Sequence, residues 1–281
     1  MARRALCIGI NDYPGTDMDL RGCVNDAQDW AAVLARRGFE TTLLLNEQAH
    51  KAALQSAMAT VIDSAQPGDT VAITFSGHGT YVFNTDADED EPDGYDEALC
   101  PHDVASAGEP LVDDEIHALL ARRQPGVRLL LIADSCHSGT VSRAAQPARA
   151  DAPRKRFLPM ANWLAPERLA RAASLHAALG APDGRNLALA PAPGDALALD
   201  DVLLAGCQEG PDHYSYDAVL NGRPNGAFTY HALKALRDLP AGASYADWHR
   251  AITPEYLPST AFPQSPQLLA SSDARQRPVL E

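Results

Sequence analysis

The stretch LLLIADSCHSGT, residues 129–140, decides the fold of this chain. An apolar run ends abruptly at Asp134, Ser135 and Cys136, and a histidine and a nearby glycine follow. A short apolar run closed by turn residues is typical of a strand that is buried on both faces of a parallel sheet. In such sheets, ligands bind beyond the carboxyl ends of the strands. The stretch therefore predicts a buried strand that places a cysteine where a sheet carries its chemistry.

The same pattern recurs along the chain and alternates with helical spacing. The apolar, strand-like runs lie at residues 5–10, 41–46, 69–79, 127–135, 201–208 and 265–271. The runs with helical spacing lie at residues 25–38, 50–65, 113–123, 226–239 and 245–252. Because strands alternate with helices and are nearly all apolar, we predict an α/β fold. Its core would be a mainly parallel six-stranded sheet with helices on both faces.

A histidine stands at the end of another predicted strand. The run at 69–79 ends in SGHG, which places His78 between two glycines. A thiolate is a strong nucleophile that needs a base beside it. Taken alone, a buried cysteine or histidine is usually a packing residue. The pair, each at a strand end and each near glycine, favours Cys136 as nucleophile and His78 as base. The N–H groups of Gly79 and Cys136, or Gly139, would bind the oxyanion.

Composition restricts the other function classes. The formal net charge of −14 disfavours nucleic acid and anionic membranes as partners, although plain solubility explains it equally well. No apolar run approaches the roughly 18 residues of a membrane helix. The five cysteines are odd in number and form no CxxC pair, so a disulfide framework is not expected. A zinc site built from Cys100 and His102 with Cys7 or Cys23 has poor ligand spacing. We expect a cytoplasmic protein.

Two segments differ from the core pattern. Residues 86–97, DADEDEPDGYDE, are dense in carboxylates, and residues 143–199 are rich in Ala, Pro and Arg without sustained strand patterning. Residues 163–179 have the spacing of a helix. We expect both segments to lie outside the core. The chain would then be one domain in which residues 1–142 and 200–281 flank an insertion at 143–199.

The residues of both motifs resemble one family. TFSGHGTYV and LLLIADSCHSGT closely resemble the histidine and cysteine motifs of the metacaspases, caspase-like cysteine peptidases of clan CD, family C14. ALCIGINDYPG followed by MDLRGCVNDAQDWAAVL resembles the opening strand and helix of type I metacaspases and their bacterial relatives. DGYDEALCPHD with LVDDEIHALL resembles their acidic segment. LLAGCQEG, NGAFTYHAL and FPQSPQLL resemble the small-subunit half more loosely. The resemblance covers nearly all of the chain outside 143–199.

The resemblance implies a caspase–haemoglobinase fold and hydrolysis of peptide bonds after Arg or Lys. It makes Cys136 the nucleophile and His78 the base, and it lines the pocket for the basic side chain with Asp26 and Asp134, with Cys23 and Ser76 nearby. Desolvated carboxylates are suitable partners for a guanidinium or ammonium. For Asp26 the plain alternative is a helix N-cap. The family implies protein or peptide substrates, a monomeric catalytic unit and no organic cofactor.

The resemblance also implies a calcium site. The family binds Ca²⁺ through carboxylates that match Asp93, Asp113 and Asp114, and Ca²⁺ prefers such oxygen ligands. The family often has another Asp about seven residues after the nucleophile, where this chain has Arg143. This departure counts against calcium dependence. The alternative is that the acidic segment is a solvated loop.

The insertion is rich in basic residues. They include Arg143, Arg149, Arg154, Lys155 and Arg156. An enzyme that cleaves after basic residues would cut itself there, and we hypothesise that this cut raises activity. The alternative is a plain surface loop.

Two rival functions were weighed against a peptidase. A cysteine-dependent phosphatase would need an HCx5R loop, which this chain has out of register. A non-catalytic caspase-like binding or scaffold module is disfavoured because both Cys136 and His78 are present.

Overall fold

The computed structural model describes residues 1–84, 95–136, 152–179, 201–208 and 214–281. The strands in these ranges are β1 (Arg3–Gly9), β2 (Glu40–Leu45), β3 (Thr70–Ser76), β4 (Gly79–Phe83), β5 (Tyr95–Leu99), β6 (Leu111–Val112), β7 (Arg128–Asp134), β8 (Arg154–Lys155), β9 (Val202–Ala205), β10 (Tyr216–Leu220), β11 (Arg223–Gly226) and β12 (Gln267–Ala270). The helices there are α1 (Cys23–Arg36), α2 (Lys51–Asp63), α3 (Val104–Ala107), α4 (Asp113–Leu120), α5 (Met160–Trp163), α6 (Pro166–Leu179), α7 (Ala227–Asp238), α8 (Tyr245–Ile252) and α9 (Ser272–Arg275).

A six-stranded sheet forms the centre of the molecule, in the order β12–β9–β7–β3–β1–β2. All neighbouring pairs are parallel except β12 with β9, which is antiparallel. The central strands β3 and β7 are almost wholly buried, as their apolar sequences require. The predicted fold class, an α/β protein with a mainly parallel six-stranded sheet, is confirmed.

Each face of this sheet has its own hydrophobic cluster. Side chains alternate along a strand, so Leu6 and Ile8 of β1 join one cluster while Ala5 and Cys7 join the other. The first cluster includes residues of α2 and α4, and the second those of α1, α7 and α8. In the second cluster Trp30 and Trp248 meet edge to face, with ring centroids 6.0 Å apart. Helices therefore cover both faces, as predicted.

Two small sheets of three strands stand beside the central one, with the orders β4–β5–β6 and β11–β10–β8. Sequence analysis did not predict them, because their strands are short and mixed in polarity. β8 and α5 lie inside the insertion at 143–199, which we expected to be outside the core. That expectation is wrong for residues 156–163, since Arg156, Phe157, Leu158 and Trp163 are all buried. The apolar run FLPM is short and flanked by basic, Ala-rich and Pro-rich sequence, which conceals it.

The topology brings the two predicted catalytic motifs together. β3 and β7 pair in parallel with Ser76 opposite Asp134, so the turns that follow them lie at the same sheet edge. His78 lies in the turn between β3 and β4, and Cys136 lies two residues beyond β7. In the described part of the chain, no helix has both the length and the apolar character that crossing a bilayer demands.

Candidate active site

His78 is fully buried at the end of β3. Its Nε2 lies 2.5 Å from the backbone carbonyl oxygen of Met18. A carbonyl oxygen only accepts, so Nε2 carries the proton and Nδ1 of the neutral ring keeps its lone pair. Burial lowers the pKa of His78 to about 4, against the opposing effect of the Met18 carbonyl. The ring is therefore neutral at physiological pH, with Nδ1 able to accept a proton.

Tyr13 holds the backbone of His78 in place. Its hydroxyl accepts a hydrogen bond from the N–H of His78 at 2.7 Å, and the two ring centroids are 4.7 Å apart. Tyr13 is fully buried and belongs to the turn NDYPG after β1. Sequence analysis used that turn only as the end of a strand. A large aromatic residue within a Gly- and Pro-containing turn is the signal that it missed.

Cys136 is buried beyond the end of β7. Its Sγ accepts a hydrogen bond from the N–H of Ser215 and lies 3.4 Å from the Sγ of Cys207. The pKa of the Cys207 thiol is raised well above its ordinary value by its contact with Cys136 and by burial. Cys207 thus stays a neutral thiol beside the predicted nucleophile. Sequence analysis treated Cys207 only as part of a loosely matching motif.

The carbonyl of Arg156 lies between the two predicted oxyanion donors. Its oxygen accepts the N–H of Gly79 at 3.0 Å and the N–H of Cys136 at 3.1 Å. Two convergent backbone donors on one carbonyl oxygen are the arrangement that stabilises the oxyanion of acyl transfer. The structure therefore brings together Cys136, His78, Gly79 and a peptide bond of the chain itself, the one between Arg156 and Phe157.

The segment around Arg156 crosses the site as an extended strand. The N–H of Arg156 donates to the carbonyl of Ser215 at 2.9 Å, and the N–H of Leu158 donates to the carbonyl of Gly79 at 2.9 Å. Before Arg156, β8 pairs antiparallel with β10, so that Lys155 faces Tyr216. Addition of an extended segment to a free sheet edge is a common way to bind peptides. Residues 154–158 occupy the site in the way a peptide ligand would.

The side chain of Arg156 fills a buried pocket of carboxylates. Its Nη2 lies 2.6 Å from Asp26 and 3.4 Å from Asp217, and its Nη1 lies 3.1 Å from Asp134. All four side chains are at most 1% exposed. Burial opposes the charge of Arg156, but these carboxylates raise its pKa well above its ordinary value, so it remains a cation. The predicted pair Asp26 and Asp134 does meet on one basic side chain.

Burial raises the pKa of Asp26 to about 7, although the guanidinium of Arg156 acts in the opposite direction. Asp26 is held by the Nδ2 of Asn225 and the N–H of Gly226, each at 3.0 Å. It lies within α1, whose N-cap position is Gly22, so the N-cap alternative for Asp26 is wrong.

The other two carboxylates are held from different parts of the chain. Asp134 accepts the N–H of Thr229 at 3.0 Å and its hydroxyl at 2.7 Å. Asp217 accepts the N–H of Gly22 at 2.7 Å. Sequence analysis missed Asp217 because its strand, β10, lies in the half where the family motifs are loose. An isolated acid within a short apolar strand is the signal that marks it.

Gly226 forms part of the pocket wall. A Cβ at this position would lie 2.1 Å from Asp134 Oδ2 and 2.6 Å from Arg156 Nη1. Any side chain here would fill the space of the guanidinium. Of the remaining predicted lining residues, Cys23 is buried at the start of α1, and burial raises the pKa of its thiol. Ser76 is buried beside Asp134 across β3 and β7.

Comparison with known proteins identifies the family. The family model described as "Metacaspase, peptidase C14 domain" matches residues 3–144, half of the chain, and includes both catalytic motifs. The chain belongs to the metacaspase family. It is 44% identical over 150 residues to Metacaspase-1A of Neurospora crassa, an alignment that covers 50% of this chain and 32% of that protein. It is 44% identical over 149 residues to Metacaspase-1B of Aspergillus fumigatus, covering 49% and 36%.

A solved structure extends the likeness of this metacaspase to its full length. The crystal structure of protein GSU0716 from Geobacter sulfurreducens matches 100% of this chain and 98% of its own, with a TM-score of 0.70 and 30% identity. The curated metacaspases are longer proteins, and the part of each that this chain matches is about a third of its length.

The predicted calcium residues are only partly described. Asp113 and Asp114 are the first two residues of α4, and burial raises the pKa of Asp113 to about 6. Asp93, Arg143 and Arg149 lie outside the described residues. Within the described ranges there is no group of three His, Cys, Asp or Glu side chains placed to hold a metal ion, which includes the zinc set considered above.

Proposed function

We propose that this metacaspase is a cysteine endopeptidase that cleaves after Arg or Lys and processes itself at the bond between Arg156 and Phe157. The single observation that carries the proposal is the position of Arg156. Its guanidinium is in the carboxylate pocket while its carbonyl oxygen accepts the N–H groups of Gly79 and Cys136. An arginine held at both ends in this way is the P1 residue, the one preceding the bond to be cut, of a substrate in its binding pose.

The reaction follows from the groups around that carbonyl. The thiol of Cys136 gives its proton to Nδ1 of His78, and Sγ attacks the carbonyl carbon of Arg156. The N–H groups of Gly79 and Cys136 stabilise the oxyanion. The bond to the nitrogen of Phe157 breaks as that nitrogen takes the proton from His78. Water then attacks the thioester, His78 takes the proton of that water and returns it to Sγ, and Arg156 is released as a carboxylic acid.

Selectivity for a basic P1 residue rests on charge. Three carboxylates converge on one pocket from which water is excluded, so a neutral or acidic P1 side chain would leave them without a cationic partner. We expect peptides with Arg or Lys at P1 to be cleaved and peptides with Asp at P1 to be left intact.

Self-processing is tested by incubating the purified chain and determining its intact mass and new N-terminus. We expect a fragment that begins at Phe157, and its first-order rate should not depend on protein concentration, because the bond already lies in its own site. The Cys136→Ala variant should stay whole. A wild-type chain that hydrolyses Arg peptides yet stays whole would overturn self-processing and leave the peptidase proposal standing.

Calcium activation is a separate part of the proposal. Asp113 and Asp114 lie at the start of α4, and Asp93 would have to join them to complete an oxygen ligand set of the kind Ca²⁺ requires. We expect the rate of self-cleavage to rise with added Ca²⁺ and to fall with chelator, and the double variant Asp113→Asn, Asp114→Asn to lose this response. Equal rates with Ca²⁺ and with chelator would overturn calcium activation.

The binding-module alternative makes the opposite prediction. If no Arg or Lys peptide is cleaved in any arm, with or without Ca²⁺, and the chain stays whole, the chain is a scaffold rather than a peptidase.

A further inference from the structure

One aromatic side chain contacts the residues on both sides of Arg156. The Nζ of Lys155 lies 3.6 Å from the ring centroid of Tyr214, and the ring of Phe157 has its centroid 6.5 Å from that of Tyr214. Side chains alternate along an extended segment, so Lys155 and Phe157 project to the side opposite Arg156. Tyr214 is 6% exposed. Its ring therefore lies against the P2 residue, which precedes P1, and the P1′ residue, which follows the cleaved bond.

A second aromatic ring completes the surroundings of Phe157. Phe157 stacks on Tyr81 with ring centroids 5.7 Å apart and an interplanar angle of 23°. Phe157 is 2% exposed and Tyr81 is 3% exposed, so an apolar side chain at P1′ is almost wholly removed from water. Paired aromatic rings in such geometry contribute beyond their buried area.

The position of Lys155 over Tyr214 is fixed by the backbone. β8 pairs with β10 in the register that sets Lys155 opposite Tyr216 and Arg154 opposite Asp217. Arg154 in turn donates from Nη1 to the carbonyl of Asp19. Because main-chain pairing holds the segment in place, the ring of Tyr214 is free to act on side-chain identity alone. A cation over an aromatic face is a favourable contact that an uncharged chain of the same length does not make.

We propose that Tyr214 is a specificity-determining residue that selects a cationic side chain at P2 and, together with Tyr81, an aromatic side chain at P1′. The substrate class is then a protein segment with two consecutive basic residues followed by an aromatic one. This inference rests on the proposed function, since it describes neighbouring subsites of the same cleavage site.

The test compares three quenched fluorogenic peptides that share Arg at P1. One has Lys at P2 and Phe at P1′, one has norleucine at P2 in place of Lys, and one has Ala at P1′ in place of Phe. Norleucine keeps the aliphatic stem and removes only the charge. We expect kcat/KM to fall about 5-fold for norleucine at P2 and about 10-fold for Ala at P1′.

Variants assign these preferences to the two tyrosines. In Tyr214→Leu the preference for Lys over norleucine should vanish, whereas Tyr214→Phe, which keeps the ring face, should retain it. In Tyr81→Leu the preference for Phe at P1′ should fall while the preference at P2 stays. The ratio of rates for Arg and Gln at P1 should be the same in all of these proteins, which distinguishes a subsite effect from damage to the fold.

The two possible failures are distinguishable. If Arg peptides are cleaved but Lys and norleucine at P2 react equally, or if Tyr214→Leu keeps the wild-type preference, the role of Tyr214 is overturned and the proposed function stands. If no Arg peptide is cleaved, both the proposed function and this inference fall.

Discussion

The two halves of the segment that crosses the active site are held in opposite ways. Before the bond to be cut, Arg154–Arg156 is basic, and its contacts are backbone pairing with β10 and the carboxylates around Arg156. After the bond, residues 157–163 are apolar, and Phe157, Leu158 and Trp163 belong to the main hydrophobic cluster. Any other basic segment can make the first set of contacts. The second set belongs to this fold, because it forms part of its core.

This difference separates recognition from architecture. Lys155 is exposed whereas Leu158 is fully buried, although only three positions separate them. Trp163 further ties the apolar half to the small sheet, with its Nε1 3.4 Å from the hydroxyl of Thr80 in β4. We therefore expect changes on the basic side to alter cleavage and changes on the apolar side to alter stability. Three experiments test this contrast, in decreasing order of expected effect.

The largest effect is expected from Asp26→Asn. Removing one partner of a buried ion pair costs about 3–5 kcal/mol, and with Asp134 and Asp217 still present we expect the lower end, a fall of about 100-fold in kcat/KM for P1 Arg peptides. The matched control is Asp29→Asn, one turn further along α1, where the carboxylate pairs with Arg223 near the surface. That control should change the rate by less than about 3-fold. Equal rates in Asp26→Asn and wild type would contradict the carboxylate pocket.

The apolar half is tested by urea unfolding of Leu158→Ala in the Cys136→Ala background, which keeps the chain whole. Because Leu158 is fully buried, we expect the free energy of unfolding to fall by about 2–5 kcal/mol. Lys155→Ala, in the same background, should lower it by no more than about 1 kcal/mol. A small and equal loss in both variants would show that the apolar half is no more part of the core than the basic half.

A smaller effect is expected from pH. Since burial raises the pKa of Asp26 to about 7, this carboxyl becomes neutral as pH falls through 7 and pairs less well with a P1 guanidinium. We expect kcat/KM for P1 Arg peptides to fall about 10-fold between pH 8 and pH 6. The pKa of His78 is about 4, so this base stays neutral across the range and does not cause the fall. Asp26→Asn should flatten the profile, and a wild-type profile that is already flat would contradict the role of Asp26.

The central sheet was predictable because its strands are continuous apolar runs whose ends carry turn residues. The ends of β3 and β7 also indicated His78 and Cys136, and the family motifs indicated Asp26 and Asp134. Asp217 and Tyr214 were not predictable, because both act through a register between β8 and β10 that is set by the tertiary fold. Likewise, the sequence ranks Arg156 no higher than Arg154 or Lys155 as a cleavage point. Only the pairing of the strand directs one of the three side chains into the pocket.

The order of strands in the central sheet determines what a cut after Arg156 would leave behind. β7 precedes the cut and β9 follows it, yet the two are hydrogen-bonded neighbours, and β12 extends the same sheet beyond β9. The helices of both fragments pack on the faces of that one sheet, with Trp30 of α1 against Trp248 of α8. Scission would thus change the covalent connectivity of the molecule and not its quaternary cohesion. Two polypeptides would separate on a denaturing gel and migrate as a single particle in gel filtration.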